Sequence, residues 1–399
     1  MTGENKEIED GNDLDHDVII IGGGPAGSSA AYLLGNQGLD VLLIDKKRFP
    51  RPKLCGGLLT KKSLEIVNAI FGETEESLRE KGVINCTTAE YEISYKLKKI
   101  LSRGTSHINF NFVDRGVYDN HFLELAKKAG IKVIEGEGVK KVDLSRNEVI
   151  TSSGKEYKTR FIIGADGVNS IVRNEFMRQG IIERKPWNDQ MASAVETYVD
   201  RKELDDEQFR RAKLIFGFIK WGYAWVFPNK DRVVIGLGGL NKKNKGTYFD
   251  VMNDFLNALE IKSDSVSKIH AHPIPYGNFK TKPVANESVL LIGDAGGFVD
   301  PLWGEGLYLA PRTAQLAVLA INGKIHENKS IEDTYIQSLQ EEIYTELKWA
   351  TYLRWIVFNS FNVALKYVPA KIIIKLFEKQ FLEIIHGIRS YKWMRNKNK

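Results

Sequence analysis

Residues 53–59 read Lys-Leu-Cys-Gly-Gly-Leu-Leu and put one of only two cysteines directly before paired glycines. An isolated cysteine is ordinarily a small buried hydrophobe, yet Cys55-Gly56-Gly57 opens backbone space that a packed core rarely wants. Further upstream, Gly22-x-Gly24-x-Ala26-Gly27 follows the apolar run DVIII and opens a small-residue helix. That spacing in that context is the dinucleotide fingerprint. Gly22 allows the tight turn, Gly24 lets a pyrophosphate approach the backbone, and Gly27 lets helix and strand pack closely. Asp45 ends the next apolar run, 18 positions beyond Gly27, where a carboxylate accepts hydrogen bonds from the ribose hydroxyls of an adenosine.

The fingerprint alone fits FAD or NAD, and later turns separate them. Asp294, in GDAGG after the run VLLIG, stands where an acid bonds the ribityl chain of a flavin. Gly304, Gly306 and Leu307 of GEGL follow, offering backbone amides at a helix start, where negative charge on a reduced flavin is stabilised. Asp166 in GADGVNS marks another such turn. Each taken singly is compatible with an ordinary strand-to-helix turn. GLGGLNKKNKG at 236–246 lacks a third glycine, so no separate nicotinamide domain is expected.

In GYAWVFP, Tyr223, Trp225 and Phe227 alternate with small or aliphatic residues, so their side chains share one face of a strand that Pro228 ends. Such a face is either the core side of a sheet or the wall of a pocket for an apolar ligand.

These residues need elements to position them. Residues 17–45 read as strand, turn, helix and strand, a βαβ unit. Helix and strand recur through 116–144, a further strand ends at GADG, and strand, loop and helix return after 286. The fold class is α/β (α+β overall): a Rossmann-like dinucleotide domain over 17–85, 115–186 and 286–325, interrupted by a β-rich substrate domain over 86–114 and 187–285. An acidic tail (1–16) precedes it, and a basic helical region (326–399), split at Pro369, follows.

A chain of 399 residues with 43% hydrophobic content can bury a large cofactor in more than one structural unit. Two cysteines exclude a four-cysteine iron–sulfur site, and no motif spaces metal ligands. The acidic N-terminus has no signal-peptide core and no run reaches a membrane span, so a cytoplasmic protein is expected. Net charge is +6, but residues 351–399 hold ten Lys or Arg against Glu378 and Glu383, a local +8 that leaves −2 elsewhere. This basic end interleaves Trp, Phe, Ile and Leu with lysines, a pattern that fits either a helix lying on the inner face of a membrane or an amphipathic pair packed on the core. No base-stacking platform accompanies the charge, so nucleic acid is not expected as a partner.

In their order along the chain these turns resemble the FAD-binding domain of p-hydroxybenzoate hydroxylase-like flavoproteins over residues 17–320. Within that superfamily the chain resembles the geranylgeranyl reductase family, which includes digeranylgeranylglycerophospholipid reductases, on RPKLCGGLL, VDRGVYDNHFLELAKKAG, GYAWVFP and GDAGGFVDPLWGEGL. The resemblance implies FAD as cofactor and reduction of isolated C=C bonds in a prenylated lipid. It implies electrons from NAD(P)H or a small redox protein such as ferredoxin. It places Cys55, Gly56 and Gly57 beside the isoalloxazine ring, with Cys55 facing the reaction chamber as the candidate catalytic residue. Arg115 would contact the FAD pyrophosphate and Val139 the adenine through its backbone, while Tyr223, Trp225, Phe227 and Pro228 would wall the prenyl pocket. The alternative for Arg115 is a surface salt bridge with Asp114 or Asp119. Rival readings are an aromatic hydroxylase or halogenase, whose Trp-x-Trp-x-Ile-Pro motif this chain replaces with Tyr-Ala-Trp-Val-Phe-Pro, and a membrane-docked electron carrier to quinone.

Overall fold

The computed structural model describes residues 14–105, 108–361 and 368–395. Most of the acidic tail and parts of the basic end, residues 362–367 and 396–399, lie outside the described residues.

The runs His16–Ile21 and Val41–Asp45 are apolar nearly throughout because both faces of a parallel sheet are covered. They form its centre, in the order Lys132–Glu135, Val41–Asp45, His16–Ile21, Glu156–Gly164. Val18 pairs with Val41 on one side and Phe161 on the other. The long strand Glu156–Gly164 serves two partners on its far side. Its first half pairs antiparallel with Glu148–Thr151, and its end pairs parallel with Val289–Leu291. The parallel strands finish at Ile21, Asp45, Gly164 and Leu291, and the connections diverge between the first strand and Glu156–Gly164. A ligand crevice belongs at that switch point. Helices Pro25–Gly35 and Leu309–Glu327 pack together over the sheet in one core.

A second sheet runs His270–Pro275, Met191–Asp200, Arg232–Leu240, Gly222–Pro228, Ala212–Phe216, Glu90–Tyr95, Lys98–Gly104. Side-chain alternation divides it cleanly. Val195, Ala224, Val226 and Ile235 face the helix Tyr248–Ala258, which contributes Met252 and Phe255. Ala194, Trp225, Phe227 and Val234 face the other way, toward Leu353, Val357 and Phe381 of the C-terminal helices. A small sheet of Leu58–Leu59, Phe110–Val113 and Ile84–Thr88 joins residues from both sides of the boundary expected at 85/86.

The C-terminal region forms helices Thr345–Ser360, Val368–Leu376 and Glu378–Ile385. Pro369 sits in the first turn of Val368–Leu376, where its missing N–H has no intrahelical partner to lose. No helix among the described residues is long and apolar enough to cross a membrane.

Candidate functional site

The glycine turn is built as a cradle at the end of the first strand. Gly22 takes φ +106°, and a Cβ there would stand 2.5 Å from the Ala165 carbonyl oxygen. A Cβ on Gly27 would stand 1.8 Å from the Gly22 carbonyl oxygen, so the helix Pro25–Gly35 enters with no tolerance. Gly24, by contrast, faces open space apart from Arg51 Nη2 at 3.5 Å. Asp45 accepts the Gly23 N–H at 2.7 Å and the Lys47 N–H at 2.8 Å, which fixes its carboxylate beside the turn. The segment before Val139 crosses the same strand end, where the Glu137 N–H bonds the Asp45 carbonyl at 3.2 Å. Val139 itself opens the strand Val139–Asp143.

The later turns converge here. Asp166 adjoins Gly22, and its Oδ2 accepts the Ile171 N–H at 2.6 Å while its buried Oδ1 has no partner. Burial raises its pKa. Gly293 packs on Ala26, and the Asp294 carboxylate lies beside Gly306. Nothing stands within 4 Å of a Cβ built on Gly304. Leu307 is buried behind this turn, and Glu305 anchors it by accepting from Ser63 Oγ at 2.9 Å and pairing with Lys62 at 2.6 Å. An open glycine backbone, an unpartnered buried carboxylate oxygen and converging strand ends fit a dinucleotide.

Arg115 forms the salt bridge weighed from sequence, with Asp119, but in the interior. Its Nε and Nη2 reach the Asp119 oxygens at 2.7 and 3.0 Å, and Arg51 reaches the same fully buried carboxylate at 3.2 Å. Lys53 is bonded to His272, whose pKa burial and then the lysine charge hold down at about 4. The imidazole is therefore a neutral acceptor for the ammonium.

Cys55 lines a cavity of about 320 Å³ together with Lys53, Arg115, Tyr198 and Arg232. Its Sγ accepts the Gly57 N–H at 3.4 Å. Gly57 adopts φ +71°, and a Cβ there would stand 2.2 Å from the Val113 carbonyl oxygen. A Cβ on Gly56 would lie 2.8 Å from the Phe227 ring and 3.4 Å from Trp225 Nε1, so the Cys-Gly-Gly segment rests directly on the aromatic strand. Tyr223, Trp225 and Phe227 stand in a row, with ring centroids 6.0 Å and then 6.4 Å apart. Pro228 is buried at the strand end. The Tyr223 hydroxyl bonds the Trp303 carbonyl of the GDAGGFVDPLWGEGL loop.

Sequence reasoning missed two residues here. Gly236, in the stretch set aside as a failed nucleotide motif, pairs across from Trp225 and lets the indole lie over it; a Cβ would meet the ring at 2.4 Å. Beyond Gly236 in the same cross-strand row is Glu196, fully buried, which accepts the Trp225 indole N–H at 3.3 Å. The available signal was an acid amid the Ala, Val and Thr of ASAVETYVD, a strand largely buried on both faces.

The FAD binding domain family matches residues 15–335. Chloroplastic geranylgeranyl diphosphate reductase of Oryza sativa subsp. japonica is 28% identical, covering 84% of this chain and 72% of that protein. Digeranylgeranylglycerophospholipid reductase of Methanococcus vannielii is 26% identical, covering 89% and 90%. Tryptophan 2-halogenase of Chondromyces crocatus is 25% identical, covering 85% and 66%. Among solved structures, a geranylgeranyl bacteriochlorophyll reductase-like protein of Thermoplasma acidophilum shares the fold, with TM-score 0.70, 20% identity and coverage of 85% and 86%. With a family match running from the first strand past the GEGL turn, the chain belongs to the FAD binding domain family as an FAD-dependent oxidoreductase, and it counts the geranylgeranyl reductases among its relatives.

Proposed function

We propose that this protein reduces isolated C=C bonds of a geranylgeranyl or similar polyprenyl chain carried on a membrane lipid or its precursor. The observation that carries this reading is the contact between the Cys55-Gly56 segment and the row Tyr223, Trp225, Phe227. An aromatic wall suits a ligand that offers only apolar surface and π-bonds.

Gly22, Gly24 and Gly27 would hold the FAD pyrophosphate with Arg115, Asp45 the ribose, and the Val139 backbone the adenine. Asp166, Asp294 and the Gly304-Gly306-Leu307 turn would hold the flavin end, with Gly56 and Gly57 leaving room for the ring. Bound FAD supplies, in reduced form, the hydride for one alkene carbon. The aromatic row orients the chain, and the C-terminal helices packed over it exclude water. Cys55, in contact with Arg115, would fill space beside the alkene. NAD(P)H or a small redox protein such as ferredoxin would recharge the flavin.

Anaerobic turnover with a chemically reduced flavin and a geranylgeranyl lipid is expected to add two hydrogens per bond by mass spectrometry. No mass gain with any prenyl substrate overturns the reading. The similarity to a tryptophan halogenase favours, as second reading, an oxygen-using enzyme of an aromatic substrate; product formation that consumes oxygen stoichiometrically would select it.

The lipid is expected to arrive from a bilayer. Seven of the twelve exposed large hydrophobics among the described residues fall between Tyr352 and Ile388. Lys348, Tyr352, Trp355 and Ile356 make the outer stripe of one helix, and Val368, Ile372, Lys375 and Leu376 that of the next, while their inner sides share one core. Apolar side chains among lysines suit an anionic surface. Trp355→Asp combined with Leu376→Asp is expected to weaken co-sedimentation with phosphatidylglycerol vesicles at least about tenfold, leaving FAD content unchanged. Equal binding by the double variant would remove this face from consideration.

A further inference from the structure

Glu196 sits where three segments meet, and its two oxygens are claimed by different neighbours. Oε1 accepts from the Tyr198 hydroxyl at 3.0 Å and from the Cys55 N–H at 3.3 Å, while Oε2 accepts from the Trp225 indole. Among the described residues it has no salt-bridge partner within 4.0 Å. Arg232, whose charge pulls on it, pairs instead with Asp114 and lies over the Tyr198 ring at 4.2 Å. His270, its neighbour across the sheet edge, is exposed, and His272 one row away is engaged by Lys53. Burial pushes the Glu196 carboxyl up to about 7, against the opposing pull of Tyr198, the Cys55 N–H, the indole and Arg232.

Tyr198 connects this buried acid to the outside. It lines the cavity of about 320 Å³ that Cys55 also lines, and it lines a surface pocket of about 470 Å³ beside Asp200 and Asp231. While Glu196 is ionised, the tyrosine hydroxyl must donate to it. Once Glu196 is protonated, the carboxyl donates to the phenol oxygen and the hydroxyl proton is free to point into the cavity. Protonation of one group thus re-aims the other.

We propose that Tyr198 hands the proton to the substrate and that Glu196 is the reservoir behind it. The inference rests on the reductase reading. The alkene π-bond breaks; one carbon takes the hydride, an electron pair with its hydrogen, from reduced FAD, and the other forms its C–H bond with the Tyr198 hydroxyl proton. The Glu196 proton moves to the phenolate as it forms. Glu196 is left as a carboxylate and refills from solvent through the Tyr198 side of the pocket.

The test pairs Tyr198→Phe with Glu196→Gln in the FAD-loaded protein. Infrared difference spectroscopy without substrate should show a protonated-carboxyl band in wild type that titrates near neutral pH and is missing in Glu196→Gln. Tyr198→Phe should retain FAD and its reduction by dithionite but turn over a geranylgeranyl lipid at least about 100-fold more slowly. Glu196→Gln should flatten the fall of wild-type activity with rising pH. A wild-type spectrum without such a band, or Tyr198→Phe turning over at full speed while prenyl reduction persists, overturns the proposal and leaves the reductase reading intact. Wild type that titrates at Glu196 but reduces no prenyl alkene sinks the reductase reading and the transfer step together.

Discussion

Gly27→Ala is expected to yield colourless protein with a large loss of stability. The new methyl would overlap the Gly22 carbonyl oxygen at 1.8 Å and press on Ala165 Cβ at 3.3 Å. The first of these is backbone, in a turn tied to the sheet by the Gly22 N–H to Ile44 carbonyl bond at 2.8 Å, so no flexible side chain can yield. Relief requires the helix Pro25–Gly35 to lift away from its strand, which opens the crevice and strains its packing on Leu309–Glu327. Overpacking of a buried site costs about 1–3 kcal/mol even where side chains absorb it, and this site lies at the upper end or beyond. Gly24→Ala is the control. Its methyl meets only Arg51 Nη2 at 3.5 Å, so that variant should fold normally and lose FAD, since the obstructed space is the ligand's. FAD absorbance per chain and thermal unfolding measure both. A yellow Gly27→Ala protein of wild-type stability would contradict the geometry.

Asp119→Asn is expected to destabilise the protein by about 3–5 kcal/mol, the range for breaking a buried pair so that charge is left uncompensated. The carboxylate is fully buried and serves both Arg115 and Arg51, each largely buried itself. Asparagine preserves shape and one acceptor, so the loss reports charge rather than volume. Denaturant unfolding of the FAD-free variant against wild type is the measurement, and a difference below about 1 kcal/mol, the scale of a surface pair, would show that the cluster is hydrated.

The sequence was most legible where the chemistry is local. Gly22, Gly24 and Gly27 act within one turn, and Asp45 needs only the βαβ geometry that its own apolar strand implies. Period-two alternation sufficed to put Tyr223, Trp225 and Phe227 on one face, but not to say what lies opposite, because register across strands is set by pairing that no single strand contains. Gly236 consequently read as a defective nucleotide turn when its place is under the Trp225 indole. Glu196 was hidden more deeply. Cys55, which bonds it, is 141 positions away along the chain, and Trp225 is 29 away. Arg115 shows the same limit: its partner Asp119 is one helical turn ahead and was visible, but Arg51, which makes the cluster an interior one, arrives from another loop.

The strand Val289–Leu291 completes the parallel sheet by pairing with Ile162–Gly164, which were synthesised long before it. A nascent chain emerging from the ribosome can fold its first βαβ unit early, but closing the loop to that late strand is entropically costly and must wait for most of the polypeptide. Premature termination between Gly164 and Val289 would therefore release a fragment whose Ile162–Gly164 segment is an exposed, unpaired sheet edge, a substrate for proteases or aggregation rather than a partly active enzyme.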